Sequence, residues 1–101
     1  MSRTYARFSD FYPFYLGEHR DPTCRRLHFV GSSLVLGSLI WVLITGHWLG
    51  LILLPLFGYG FAWIGHFFFE KNRPATFTHP LYSFVGDWAM FRDILIGKLP
   101  F

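Results

Sequence analysis

The chain has 101 residues, of which 52% are hydrophobic and 22% aromatic, while only 15% are charged. Nine Lys or Arg against six Asp or Glu leave a formal charge of +3 with no continuous basic stripe, which argues against a nucleic-acid partner and fits contact with anionic lipid head groups. Mean hydropathy is positive (+0.35), and a water-soluble domain of this size forms one modest core that could not hide so much apolar surface.

Arg3 to Leu16 places Phe8, Phe11, Tyr12 and Tyr15 at helical spacing with Arg7 and Asp10 between them. That pattern predicts an interfacial amphipathic helix over 3–18, kinked or shortened by Pro13. Gly17-Glu18-His19-Arg20 breaks it, and Asp21 as N-cap with Pro22 in the first turn starts a helix over 22–45. The apolar runs Leu27–Thr45 and Trp48–Phe69 hold 19 and 22 residues, enough for each to cross a hydrocarbon core of about 30 Å. Only Gly46 and His47 separate them, as a tight hairpin, with His47 an interfacial turn residue.

The second spanning helix is expected over 48–70, bent around Pro55, Gly58 and Gly60, with Gly58, Ala62 and Gly65 as a small-residue strip allowing close approach. After a turn at Asn72-Arg73-Pro74, residues Leu81, Phe84, Val85, Trp88, Phe91 and Leu95 share one face of a helix over 80–96, too short and too polar to span. The predicted fold class is an all-α membrane protein: a two-span transmembrane helical hairpin with amphipathic N- and C-terminal interfacial helices, as one domain over 1–101.

No cleaved signal peptide is expected, because the first apolar run starts only at Leu27 behind a mixed aromatic and charged segment. Arg20, Arg25 and Arg26 flank the first run, Lys71 and Arg73 the second, and the hairpin carries no Lys or Arg. The positive-inside rule then places both termini in the cytoplasm of an integral membrane protein. Two spans bury little of each other, which leaves room for a homo-oligomer.

Histidine placement carries the functional reading. His28 lies about 27 Å before the turn and His66 about 29 Å after it at 1.5 Å of rise per residue, so antiparallel helices bring both imidazoles to one depth. His19 leads into the first span and His79 precedes the last helix, giving a third and a fourth candidate ligand. Imidazole suits divalent iron, zinc and copper, and spacing alone does not choose among them. Cys24 is the only cysteine, which excludes an intramolecular disulfide and a Cys-rich zinc knuckle, and it shares a face with His28 either as a soft ligand or as packing. Glu70, four residues after His66, could ligate, orient the imidazole, or pair with Arg73. The alternative to a metal site is a hydrogen-bonded histidine pair that stabilises the bundle.

Phe14-Tyr15-Leu16-Gly17-Glu18-His19-Arg20-Asp21-Pro22, with Arg25-Arg26-Leu27-His28-Phe29-Val30-Gly31, resembles the first signature of a family of small membrane proteins whose characterised fungal member is a 2-hydroxy fatty acid dioxygenase of phytosphingosine breakdown. Gly65-His66-Phe67-Phe68-Phe69-Glu70-Lys71-Asn72-Arg73-Pro74-Ala75 resembles the second signature, and Pro80-Leu81-Tyr82-Ser83 with Gly86-Asp87-Trp88 is similar to the C-terminal segment of bacterial members. The resemblance implies an enzyme of the bacterial inner membrane that uses iron(II) and dioxygen to shorten a 2-hydroxy fatty acid by one carbon. It implies His19, His28 and His66 as catalytic iron ligands, with His79 in the bacterial-type segment as a fourth. On that reading the alkyl tail lies in the bilayer, Arg25, Arg26 or Arg73 pairs with the substrate carboxylate, and Tyr82, Asp87 and Trp88 cover the site or pack the last helix. Two other classes stay open: a haem- or metal-binding membrane protein without lipid turnover, and a structural membrane scaffold.

Overall fold

Asp21 is the hinge on which the architecture turns. In the computed structural model, which describes residues 4–101, its carboxylate accepts from the backbone N–H groups of Thr23 (2.8 Å) and Cys24 (3.3 Å). Pro22 follows in the first helical position, where a missing N–H costs nothing. The short helix α1 (Phe8–Gly17) ends before this cap and the long helix α2 (Pro22–Thr45) begins at it. Gly46 closes α2 in the left-handed conformation (φ 73°), and its N–H donates to the Val42 carbonyl.

The return strand of the hairpin is helical but not uniform. A 3₁₀ segment, Trp48–Ile52, leads into α3 (Leu53–Ile64), which passes into a π-helical segment, Gly65–Glu70. The irregularities therefore flank the expected Pro55–Gly60 bend. Pro55 sits in the first turn of α3, where it breaks no helical hydrogen bond. A 3₁₀ turn, Ala75–Phe77, precedes the last helix, α4 (Pro80–Leu95). Among the described residues there is no strand.

Two helical stretches, Pro22–Thr45 and Trp48–Glu70, are long and apolar enough to cross a membrane. Their outward faces are uncovered: Ile44 is 78% exposed and Leu49 85%. A water-soluble core helix would hide such residues. Within the small-residue strip, Gly65 is the closest contact, since a Cβ there would meet Cys24 Sγ at 2.9 Å and its Cα at 3.1 Å. At Gly58 the same atom would meet only Val35 at 3.5 Å.

The two terminal helices, expected as amphipathic elements, pack on each other. α1 starts at Phe8, later than the expected 3–18, whose first residue, Arg3, lies outside the described residues. Its aromatic stripe turns to α4: Phe11 and Tyr15 are fully buried with Met90, Ile94 and Ala75. The Tyr12 hydroxyl donates to Asp93 Oδ2 at 2.7 Å, so Asp93, off the apolar stripe of α4, is buried against α1. An aromatic face seeks any apolar cover, and here α4 supplies it.

Candidate metal centre

Three segments deliver three imidazoles to one point. His19 lies in the connection after α1, where its N–H donates to the Leu16 carbonyl (3.1 Å). His28 is in the second turn of α2, and His66 is in the π-helical segment. Their Nε2 atoms lie 3.1 Å apart for His19 and His28 and 2.9 Å apart for His19 and His66. All three are buried, at 1%, 7% and 2% exposure respectively.

The outer nitrogens settle which atoms face inward. His19 Nδ1 lies 2.6 Å from the Tyr15 carbonyl oxygen, His28 Nδ1 lies 3.0 Å from the Cys24 carbonyl oxygen, and His66 Nδ1 lies 2.7 Å from Asn72 Oδ1. Asn72 is itself oriented, because its amide nitrogen donates to the Glu18 carbonyl (3.1 Å), which turns its oxygen to His66. A carbonyl only accepts, so each Nδ1 carries the proton and each neutral ring presents an Nε2 lone pair. Three lone pairs aimed at one another cannot hydrogen-bond. The arrangement calls for a cation or a shared proton between them.

A metal ion fits that demand. The ligand nitrogens of His19, His28 and His66 all lie within 4.8 Å of one another, close enough for all three to hold one ion at metal–nitrogen distances of about 2.1 Å. A small cavity of about 10 Å³ adjoins the three rings and is lined as well by Tyr59, Trp63, Ser83 and Asp87. Burial first, and then the neighbouring His28 and His66 rings, hold His19 well below the usual imidazole range. It is therefore neutral, the form in which it ligates.

His79 stands apart from this group. Its Nδ1 lies 2.8 Å from the Thr78 hydroxyl, and its ring packs against Tyr5, Phe11 and Phe14. Glu70 also turns away, accepting from the backbone N–H of Asp21 and so tying the end of the second membrane-length stretch to the start of the first. Cys24 Sγ lies 3.7 Å from His28 Nδ1, on the side opposite the convergent nitrogens. Arg26 donates from Nε to the Phe101 carbonyl (3.1 Å) and lies over that ring, and Arg73 lies over Phe77. Only Arg25 is bound to the His19 connection, donating to the carbonyls of His19 (3.1 Å) and Arg20 (2.9 Å), while its buried Nε has no hydrogen-bond partner. His47 stacks on Trp41 at the far end of the hairpin.

Two contributors, Asn72 and Tyr15, have no assigned role at the site in the sequence, and Asp87 has only that of covering it or packing the last helix. Asn72 was read only as a turn residue. Lys71 adopts the left-handed conformation (φ 61°) after the π segment, and the Asn72 N–H then donates back to the His66 carbonyl (3.0 Å), which brings its side chain beside the ring. Tyr15 was read only as part of an aromatic stripe, yet its ring stacks on His19 with centroids 4.1 Å apart. Its hydroxyl donates to Asp87 Oδ1. Gly86 permits this pairing, because a Cβ there would lie 2.9 Å from the Tyr15 ring. Burial and the adjacent Asp87 push the Tyr15 hydroxyl up, so it stays protonated and donates. Burial likewise pushes the Asp87 carboxyl up to about 6, against the Tyr15 hydrogen bond that lowers it. The signal for Tyr15 is its position four residues before His19, and that for Asp87 is its place in the C-terminal segment expected to cover the site or pack the last helix.

A second space adjoins the histidines. A groove-like cavity of about 370 Å³ runs between α2, α3 and α4, and His28, Tyr59 and Asp87 line both it and the small cavity beside the rings.

The fold and site together define an all-helical chain with two membrane-length stretches and a buried three-histidine group able to hold a metal ion. Residues 5–99 match the family described as 2-hydroxy-palmitic acid dioxygenase Mpo1-like, and the chain belongs to that family. It is the family that the two histidine signatures resemble. No curated protein and no solved structure matches the chain significantly.

Proposed function

We propose that the chain is a membrane-bound, iron(II)-dependent dioxygenase that shortens 2-hydroxy fatty acids by one carbon, with His19, His28 and His66 as the metal ligands. The observation that carries this reading is the convergence of three Nε2 lone pairs whose rings are locked by acceptors on their outer nitrogens. The iron, when bound, supplies a centre at which dioxygen and the 2-hydroxy acid react. The overall change balances as the 2-hydroxy acid and dioxygen giving the acid one carbon shorter, carbon dioxide and water.

The chain's own residues hold and shield that centre. Tyr15 covers His19 by stacking and is fully buried, which excludes water from one side. Arg25, on the His19 connection, is the arginine we assign to the substrate carboxylate, for which a guanidinium fork is well shaped; Arg26 and Arg73 are left for lipid head groups. Basic residues flank both membrane-length stretches at the histidine end and are missing from the hairpin, which supports a cytoplasmic site with both termini on that side. A haem reading has little support, since Nε2 atoms 2.9 and 3.1 Å apart leave no room between the rings for a macrocycle.

The test is anaerobic purification with iron(II), metal analysis, and oxygen uptake with 2-hydroxy acids of several chain lengths. One iron per chain, oxygen consumption and a product one carbon shorter are expected. Iron-loaded protein that consumes no oxygen across the series would overturn the proposal.

A further inference from the structure

The 370 Å³ cavity has a polar end and an apolar end. At the polar end stand His28, Tyr59 and Asp87, shared with the metal centre. Along α2 the lining runs from His28 through Ser32 and Val35 to Leu39 and along α3 from Tyr59 to Leu54, while Phe84 and Trp88 of α4 flank Asp87. This polarity fixes the orientation of any occupant: head at the histidines, tail toward the hairpin. The two ends also set a length. His28 and Leu39 are eleven residues apart on α2, about 16 Å at 1.5 Å of rise per residue, which is the extended length of about a dozen methylenes. A single extended tail therefore matches the groove in length.

We infer that this cavity is the seat of a single alkyl chain whose polar head lies at the histidines, and that Leu39 and Leu54 form a floor at which a chain of about fourteen carbons ends. Its length combines the dozen methylenes with two head carbons. The inference rests on the proposed reading of the site as one acting on a hydroxylated fatty acid, but binding in the cavity needs no turnover. Gly58 is the point at which the ruler can be reset. A Cβ there would meet only Val35 at an ordinary 3.5 Å, so a leucine side chain is accommodated at its root and projects into the tail path.

The experiment uses 2-hydroxy acids of ten and fourteen carbons carrying a photoreactive diazirine at the terminal carbon, added to the full chain in vesicles with and without iron, with labelled residues mapped by mass spectrometry. The fourteen-carbon probe is expected to label Leu39 and Leu54, and the ten-carbon probe Val35 and residues beside Gly58. Gly58→Leu should reduce fourteen-carbon labelling at Leu39 and Leu54 at least fivefold. Leu39→Trp, which raises the floor, should reduce fourteen-carbon labelling at Leu54 to the same extent, and serves if Gly58→Leu does not fold. Equal labelling of the outward-facing Ile44 and Leu56 by both probes, or no effect of either variant, overturns the inference. Length-dependent labelling without oxygen uptake would sink the dioxygenase reading and leave the cavity assignment standing; uptake without such labelling would do the reverse.

Discussion

Each imidazole of the centre is aimed by a bond on its far side, and one of those bonds is separable from the backbone. His19 and His28 lean on carbonyls four residues back, which any helical turn supplies, whereas His66 depends on the Asn72 side chain. Asn72→Leu keeps the volume and removes the acceptor. Metal affinity should fall about 10- to 100-fold, the usual effect of losing a group that orients a ligand, as measured by competition with a chromophoric chelator. Asn72→Asp, which still accepts, should retain most of it.

Asp87 gives a pH signature. Its carboxyl is raised from 3.8 to about 6 by burial, so the fold favours the neutral form. Its stabilising contribution is complete below about pH 4 and is lost as the pH climbs through about 6. Asp87→Asn has no charge to acquire. Relative to the native protein, the variant should gain stability across that window by up to about 3 kcal/mol, at 1.36 kcal/mol per unit. Thermal unfolding in detergent from pH 4 to pH 8 reads this, and parallel midpoints for the two proteins would count against it.

At this scale the sequence was legible where depth alone decides. His28 and His66 follow from their equal distances to the turn, and His19 from its place at the entry to α2. Glu70 did not follow, because the four-residue spacing that puts it on the face of His66 assumes an α-helix. The π segment changes the register and turns Glu70 to Asp21 instead. No periodicity rule announces a π segment.

Among the elements, the packing of α1 on α4 bears most directly on the site, since it places Tyr15 over His19. Gly86→Val should therefore do more than crowd the interface. The added carbons would press on the Tyr15 ring, where even a Cβ comes within 2.9 Å. Overpacking of this kind costs about 1–3 kcal/mol, read as a lower thermal midpoint. Metal affinity should fall with it. Unchanged affinity in a destabilised variant would separate the interface from the site.

The helices themselves were readable: α2 begins at the Asp21-Pro22 cap and ends before Gly46, and α4 begins at Pro80, all from local signals. The pairing of α1 with α4 was not. An aromatic stripe has the same spacing whether lipid or another helix covers it.

For the whole molecule, the charge flanks and the site make two further predictions. A reporter fused after Phe101 should be active only on the cytoplasmic side, and one inserted between Gly46 and His47 only on the opposite side; the reverse pattern would overturn the topology. Metal should stabilise the entire chain, because a bound ion favours only the folded state. At a free concentration 100 times its dissociation constant the gain is about 2.7 kcal/mol. Adding iron(II) anaerobically should raise the unfolding midpoint and a chelator should reverse it, with both effects abolished in a protein carrying His19→Ala and His66→Ala.

The Asn72 bridge also orders events in time. A ribosome delivers His19 and His28 first, and the apolar return stretch can enter the bilayer behind them before the chain has reached residue 72. Until Asn72 arrives to hold His66 and grip Glu18, and Gly86 follows to seat Tyr15, the cradle is incomplete. On the proposed reading, metal capture would then be a late step of biogenesis, and the bound ion would mark a correctly assembled chain.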